Sequence, residues 1–294
     1  MIAVMKKTVK AILPPPILHR YLDAVAQLQL KNVPKKHFDA GPLRSIASVE
    51  CHRIFSDTRI AEAWKADHAR ISSLFGDGDY FGGVNPGDRR ALYFLIMALS
   101  PINVLEVGTH IGASTMYIAS ALNRLNQGGQ LTTVDIIDVN HPEQGAWKKV
   151  GMPESPANFA SKLGSLNRIR FHTGSSLQFM RTTKQHFNFI FLDGDHKAKT
   201  VYEELSAALP LLQKGGLILL HDYYPGGKPL FPHSVTISGP FDALKRVRKE
   251  NPLIEVLPLG KLPWQTKQGT NMTSLALVTR AIADHVASYP AAAK

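Results

Sequence analysis

Val104-Leu105-Glu106-Val107-Gly108-Thr109-His110-Ile111-Gly112-Ala113-Ser114-Thr115 is the stretch that decides the fold. An apolar strand runs into an acid, then a Gly-x-x-x-Gly turn, then the start of a helix. Such a turn suits a nucleoside cofactor, because backbone approaches a ligand closely where glycine stands. The dinucleotide spacing G-x-G-x-x-G is absent, since only Gly108 and Gly112 are glycines here. Glu106 stands at the strand end, where its charge can face an amino group. A cofactor carrying an amino acid and a sulfonium suits this turn better than a pyrophosphate does.

Outward from this turn, strand and helix alternate. Upstream, a helix is expected over 88–99, stopping before Pro101. The turn itself joins a strand at 103–107 to a helix at 113–125. Further strands are expected at 130–135, 168–172, 187–192 and 217–220, with helices at 158–166, 200–213 and 241–250. The 200–213 helix is expected to end at Gly215-Gly216. Two late strands, 254–257 and 274–279, have no clear helix between them and suggest an antiparallel hairpin. The polar stretch 139–155 is longer than a simple connection and reads as an insertion or lid. The expected fold is α/β: a Rossmann-like, doubly wound, seven-stranded sheet, mostly parallel, with an antiparallel edge strand. Residues 1–82 form a helical N-terminal extension in this reading, with a helix over 57–74, and 83–294 form the main domain.

Composition narrows the classes. The chain has 294 residues and a net charge of +11, with basic residues scattered apart from Lys6-Lys7 and Lys245-Arg246-Val247-Arg248-Lys249. This distribution argues against a dedicated nucleic-acid surface. Cys51 is the only cysteine, so an intrachain disulfide and a cysteine-rich metal site are both excluded. The N-terminus lacks a sustained apolar region and a cleavage site, and no apolar run approaches the roughly 18 residues of a membrane span. A cytoplasmic chain is expected.

In an open α/β sheet, ligands bind beyond the carboxyl ends of the strands. Those ends carry Asp135, then Gly174-Ser175-Ser176, then Asp193-Gly194-Asp195-His196, then His221-Asp222-Tyr223. Asp135 is placed for ribose hydroxyls, or for a helix cap. Ser175 can cap a helix. Asp193, Asp195 and Asp222 offer hard oxygen ligands, and His196 and His221 offer nitrogen, so a divalent ion such as Mg²⁺ is a candidate. The competing reading has these acids capping helices and tying loops. His196 can act as a general base near neutral pH. His110 reads as a loop residue, and His221 reads equally as a packed structural histidine.

LEVGTHIGAST resembles motif I of the class I S-adenosylmethionine-dependent methyltransferases. FIFLDGDHKAKTVYEELSAALPLLQKGGLILLHDYY is similar to the O-methyltransferases related to the catechol, caffeoyl-CoA, sugar and macrolide enzymes. The likeness covers about residues 83–224. It implies an enzyme that transfers a methyl group from S-adenosyl-L-methionine to a hydroxyl of a small molecule or saccharide, with or without a divalent ion. The cofactor contacts it implies are Glu106, Gly108, Thr109, Gly112, Ser114, Asp135, Ser175 and Asp193. Catalysis falls to Asp193 and to His196 or Lys197 as base. A metal would be held by Asp193 and Asp222, with His221 or Asp195 completing the shell, because Tyr223 stands where catechol-type enzymes have an Asn ligand. The 139–155 and 225–239 loops are where an acceptor would be recognised. Alternatives are an RNA or protein methyltransferase, or a silent cofactor-binding scaffold. The chain lacks the N-P-P-[YF] of amino-purine methylation, and Cys51 lies far from the core motifs. A homo-oligomer is expected, with no membrane span.

Overall fold

The computed structural model describes residues 24–76, 83–230, 237–267 and 269–281. Its first long helices are α1 (Ser48–Phe55) and α2 (Thr58–Phe75). Asp57 caps α2, accepting from the N–H groups of Arg59 and Ile60 at 2.9 and 3.2 Å, so the helix proper begins at Thr58, one residue after the expected start. Asp67 on α2 is buried, and it accepts from Tyr93 Oη at 2.6 Å and from Arg124 Nε at 2.7 Å. That network ties α2 to α3 (Pro86–Leu99) and α4 (Ala113–Leu125).

The sheet follows the order β3-β2-β1-β4-β5-β7-β6. Its strands are β1 (Asn103–Val107), β2 (Gln130–Asp135), β3 (Ile169–Thr173), β4 (Phe187–Leu192), β5 (Leu212–Leu220), β6 (Ile254–Pro258) and β7 (Ala276–Arg280). β1 lies between β2 and β4, all parallel, with Leu105 opposite Thr132 on one side and Ile190 on the other. β7 pairs antiparallel with both β5 and β6, so the antiparallel strand is one in from the edge. The helices between strands include α5 (Ala146–Lys149), α6 (Pro156–Lys162), α7 (Ser176–Thr182), α8 (Ala198–Ala208) and α9 (Gly239–Glu250). None of the described helices is long and apolar enough to cross a membrane.

Both sheet faces are covered, and the period of two along each strand sorts side chains between them. Val104, Phe189, Phe191, Leu217 and Leu219 pack with α1–α4 on one face. Leu105, Val107, Ile190, Leu192, Ile218 and Leu220 pack with α8 and α9 on the other. A register shift between Phe187 and Phe189 sends these two rings to opposite faces.

Three expectations need correction. Helix α8 stops at Ala208 rather than 213, because Leu209–Leu211 tightens into a 3-10 turn at Pro210. β5 therefore starts at Leu212, and Gly215-Gly216 lie inside it. A Cβ on Gly216 would sit 2.8 Å from Leu212 Cδ1 and 2.9 Å from the Asn188 carbonyl oxygen. Gly215 N–H donates to Pro42 O and Arg44 N–H to Gly216 O, at 2.8 and 3.0 Å, so the chain before α1 lies along this glycine pair. The 139–155 stretch is not an open lid: Ala146, Trp147 and Met152 are buried in the core. In the basic cluster, Arg246 is a structural brace. It pairs with Glu250 at 2.8 Å, stacks 4.2 Å from the Tyr202 ring centre and donates to the carbonyls of Leu30 and Val33. Cys51 is buried, and burial pushes its thiol up to about 11, where it is an inert packing group.

Candidate active site

The strand ends open onto a cleft of about 890 Å³. Gly108, at the end of β1, has φ +95, and a Cβ there would lie 2.1 Å from the carbonyl oxygen of Asp193. Its N–H donates to Val134 O at 2.9 Å, and Asp193 N–H donates to Val107 O at 2.9 Å. One glycine thus lets three strand ends converge at the cleft wall. Gly112, φ +81, begins α4 and lies behind that wall.

Within motif I the structure divides the expected contacts. Gly108 and His110 line the cleft, whereas Glu106, Thr109, Gly112 and Ser114 do not. Glu106 is fully buried and accepts from the hydroxyls of Ser114, Thr115 and Thr133 at 2.5, 2.6 and 2.7 Å. Burial pushes its carboxyl up to about 7 in spite of those three donors. Thr109 Oγ1 joins the same group through Thr133 Oγ1 at 2.6 Å. Glu106 therefore braces the turn from beneath and stands outside the cleft lining. His110, read from sequence as a loop residue, adopts φ 49 and sends its N–H to Asp135 Oδ2 at 2.8 Å. Its Nδ1 is buried in the cleft wall with no hydrogen-bond partner among the described residues, and burial lowers its pKa, so the ring is neutral.

Asp135 lines the cleft at the end of β2 and accepts a second backbone N–H, from Ile137, at 3.2 Å. Two amides hold the carboxylate in place and leave lone pairs for a diol. Ile136 beside it is 71% exposed and faces the cleft. Ser175 caps α7, accepting from Gln178 N–H at 3.4 Å, and also lines the cleft. Glu204 on α8 was not foreseen. It is 2% exposed, lines the cleft and accepts from Ser176 Oγ at 2.6 Å. Its only signal in the sequence was its place one helical turn beyond Thr200.

At the far end, Asp193, His196, His221 and Asp222 come together. One ligand atom each from Asp193, His196 and Asp222 lies within 4.8 Å of the other two, a spacing that can hold a cation. His221 does not join that group as expected, because its ring nitrogens are taken. Nδ1 faces Asp193 Oδ1 at 3.1 Å and Asp222 Oδ1 at 3.6 Å, and Nε2 faces Asp88 Oδ2 at 3.2 Å. Burial alone would lower the His221 pKa, but Asp193 and Asp222 hold it well above its ordinary value. Burial likewise opposes the Asp222 charge, yet His221 and His196 hold its carboxyl well below the usual range. Asp88, fully buried, was also missed; it accepts from Asn85 Nδ2 at 2.6 Å and Thr273 Oγ1 at 2.5 Å. Tyr223 turns into the core beside Phe241, and Tyr224 lines the cleft instead.

The two candidate bases separate. His196 lines the cleft with Nε2 3.4 Å from Asp222 Oδ2. Lys197 is 64% exposed and paired with Asp195 Oδ2 at 2.6 Å, outside the cleft wall. Asp195 is held below its ordinary pKa, against the effect of burial, by Lys197 and Thr200.

A seven-stranded sheet with one antiparallel strand and a polar cleft across its carboxyl edge is the architecture of class I S-adenosylmethionine-dependent methyltransferases. Residues 105–223 match the family model described as a methyltransferase domain. It is 23% identical over 158 residues to a rhamnosyl O-methyltransferase of Mycobacterium leprae, and 25% identical over 162 residues to one of Mycobacterium bovis. These matches cover 54% of this chain and 63% and 60% of the two relatives, so the chain spans less than two thirds of their length. The O-methyltransferase TomG of Streptomyces achromogenes, involved in tomaymycin synthesis and solved with SAM, shares the fold. Its TM-score is 0.50 at 17% identity, covering 82% of this chain and 92% of that one.

Proposed function

We propose that this protein transfers a methyl group from S-adenosyl-L-methionine to a hydroxyl of a saccharide or other small molecule. The observation that carries this reading is the cleft that joins Asp135 to the Asp193–His196–Asp222 group, in a chain whose matched region is a methyltransferase domain. The rhamnosyl relatives favour a saccharide acceptor. Residues 83–294 are taken as the methyltransferase domain and 1–82 as an N-terminal extension, with 1–23, 77–82 and 282–294 lying outside the described residues.

The cleft suits the cofactor chemically. Asp135 offers lone pairs to the ribose diol, Gly108 admits ligand close to the backbone, and the unpartnered Nδ1 of His110 is a polar group awaiting a ligand. Methyl transfer from a sulfonium needs alignment and a deprotonated acceptor more than further activation. His196 Nε2 takes the acceptor hydroxyl's proton, and Asp222 beside it stabilises the imidazolium that results. When bound, S-adenosyl-L-methionine would supply the methyl group from its sulfonium to the deprotonated acceptor oxygen. His221, fixed by Asp88, sets the carboxylates of Asp193 and Asp222 around the acceptor position.

A divalent ion also fits Asp193, His196 and Asp222. When bound it would lower the acceptor hydroxyl's pKa. The two uses of His196 exclude each other, so metal dependence decides between them. Methyl transfer to rhamnose-containing acceptors is to be assayed with chelator and with added Mg²⁺. Turnover that survives chelation assigns the proton to His196, and turnover that requires Mg²⁺ assigns His196 to the ion. Folded protein that neither binds S-adenosylhomocysteine nor methylates any hydroxyl acceptor overturns the proposal.

A further inference from the structure

The proposed function leaves one part of the cleft without a use. With ribose at Asp135 and the reacting end at His196 and Asp222, the nucleobase must extend toward the remaining wall. That wall is Gly174, Ser175 and Ser176 at the start of α7 and Glu204 on α8. It adjoins Asp135 directly, since Gly174 N–H donates to Asp135 O at 2.8 Å. Ile136 offers an exposed apolar face on which a flat ring can lie.

Glu204 is unusual there. A carboxyl group 2% exposed is rare unless it is paired or functional. Ser176 Oγ binds one oxygen at 2.6 Å, and the other carries no hydrogen bond among the described residues. No basic side chain pairs with it there, in contrast to Asp67 with Arg124 or Glu250 with Arg246. The backbone of Gly194 passes nearby, where an added Cβ would lie 3.8 Å from Glu204 Oε1, an ordinary contact distance. A structural reading would leave Glu204 as a costly helix residue with one hydroxyl partner.

We propose that Glu204, pinned by Ser176, reads the adenine base of the cofactor by accepting a hydrogen bond from its exocyclic amino group. This rests on the S-adenosylmethionine reading of the cleft. Adenine offers an N–H donor at its six position, and hypoxanthine offers a carbonyl oxygen there instead. A carboxylate has only acceptors, so it is satisfied by the first and repelled by the second. Ser176 restrains the acid from turning to accept the ring N–H of hypoxanthine. Burial pushes the Glu204 carboxyl up to about 7, so the discriminating ionised form prevails at mildly alkaline pH.

The test is calorimetric titration at about pH 8 with S-adenosylhomocysteine and with S-inosylhomocysteine. Wild-type protein is expected to prefer the adenine ligand by about tenfold or more, the scale of a hydrogen bond to a charged group. E204Q, whose amide can donate or accept, is expected to lose most of that preference. S176A, a smaller change should E204Q fold poorly, is expected to reduce it as well. A packing role for Glu204 would weaken both ligands equally and leave the ratio unchanged. If wild type binds S-adenosylhomocysteine but both variants keep the wild-type ratio, the Glu204 assignment is overturned and the proposed function stands. If folded wild type binds neither ligand, the proposed function fails and the base subsite with it.

Discussion

Replacing Gly108 by alanine asks whether the convergence of β1, β2 and β4 at one glycine governs both stability and the cleft. The substitution meets two obstacles. Its φ of +95 places an alanine in the left-handed region, which costs about 1–2 kcal/mol. Its Cβ would lie 2.1 Å from the backbone oxygen of Asp193, and overpacking of that kind adds about 1–3 kcal/mol. No rotamer change relieves the contact, because the Cβ is fixed to its own backbone and meets the backbone of Asp193, so the strand ends must part. Gly112→Ala is the matched control. It has a similar φ, +81, but its Cβ would meet side chains rather than backbone, Pro156 at 3.0 Å and Met116 at 3.4 Å. At about 2–4 °C per kcal/mol for a domain of this size, G108A should lower Tm by roughly 10 °C and G112A by only a few degrees. Thermal melts with S-adenosylhomocysteine titrations check both effects. G108A should also weaken ligand binding at least about tenfold, the effect of a small misplacement in a binding wall. Equal melting temperatures for the two variants, with G108A binding the ligand as wild type does, would refute the reasoning.

Further predictions concern Glu106, the base and Asp67. Glu106 keeps its proton up to about pH 7 in the folded chain, against about 4.3 for an unperturbed glutamate. Between those values the native state holds more protons than the unfolded state, so this group's contribution to stability falls as pH rises through the window. The stability of E106Q relative to wild type should therefore rise by about 3 kcal/mol across that window, and urea melts showing a flat difference would remove the buried-acid account. H196A should lower kcat about a hundredfold or more, as loss of a general base does, with S-adenosylhomocysteine affinity unchanged. K197A should leave kcat nearly intact, and the opposite pattern would exchange their roles. D67A strands Tyr93 and Arg124, but Arg124 is 38% exposed, so the loss should be about 2–3 kcal/mol, below that of a fully buried pair. Chemical denaturation of D67A against D67N measures it.

Much of the framework was legible because its signals are local. The alternation of strand and helix, the cap at Asp57 and the glycines of the β1 turn are matters of periodicity and backbone freedom within a few residues. The acids at the strand ends were legible for the same reason, since a strand's terminus is a local property. Other features escaped because their causes lie far along the chain. Asp88 meets His221 across 133 residues, and Glu204 meets Ser176 across 28. Gly215-Gly216 lie inside β5, bonded to residues 42–44 far upstream in the chain. The 139–155 stretch read as an insertion or lid because it is long and polar, and its few apolar residues Ala146, Trp147 and Met152 anchor it in the core.

Sequence alone determined that strands and helices alternate around a glycine turn, and that acids and histidines stand at successive strand ends. Both follow from local propensity and a period of two or 3.6. Tertiary structure decided which of those side chains share the cleft. It enclosed Glu106 in hydroxyls, turned Tyr223 into the core, spread His221 across three carboxylates and exposed His196 instead of Lys197 to the cavity. Whether a side chain at a strand end meets solvent, a neighbour or a ligand depends on what the adjacent strands and crossing helices bring to it, and only the closed sheet specifies that.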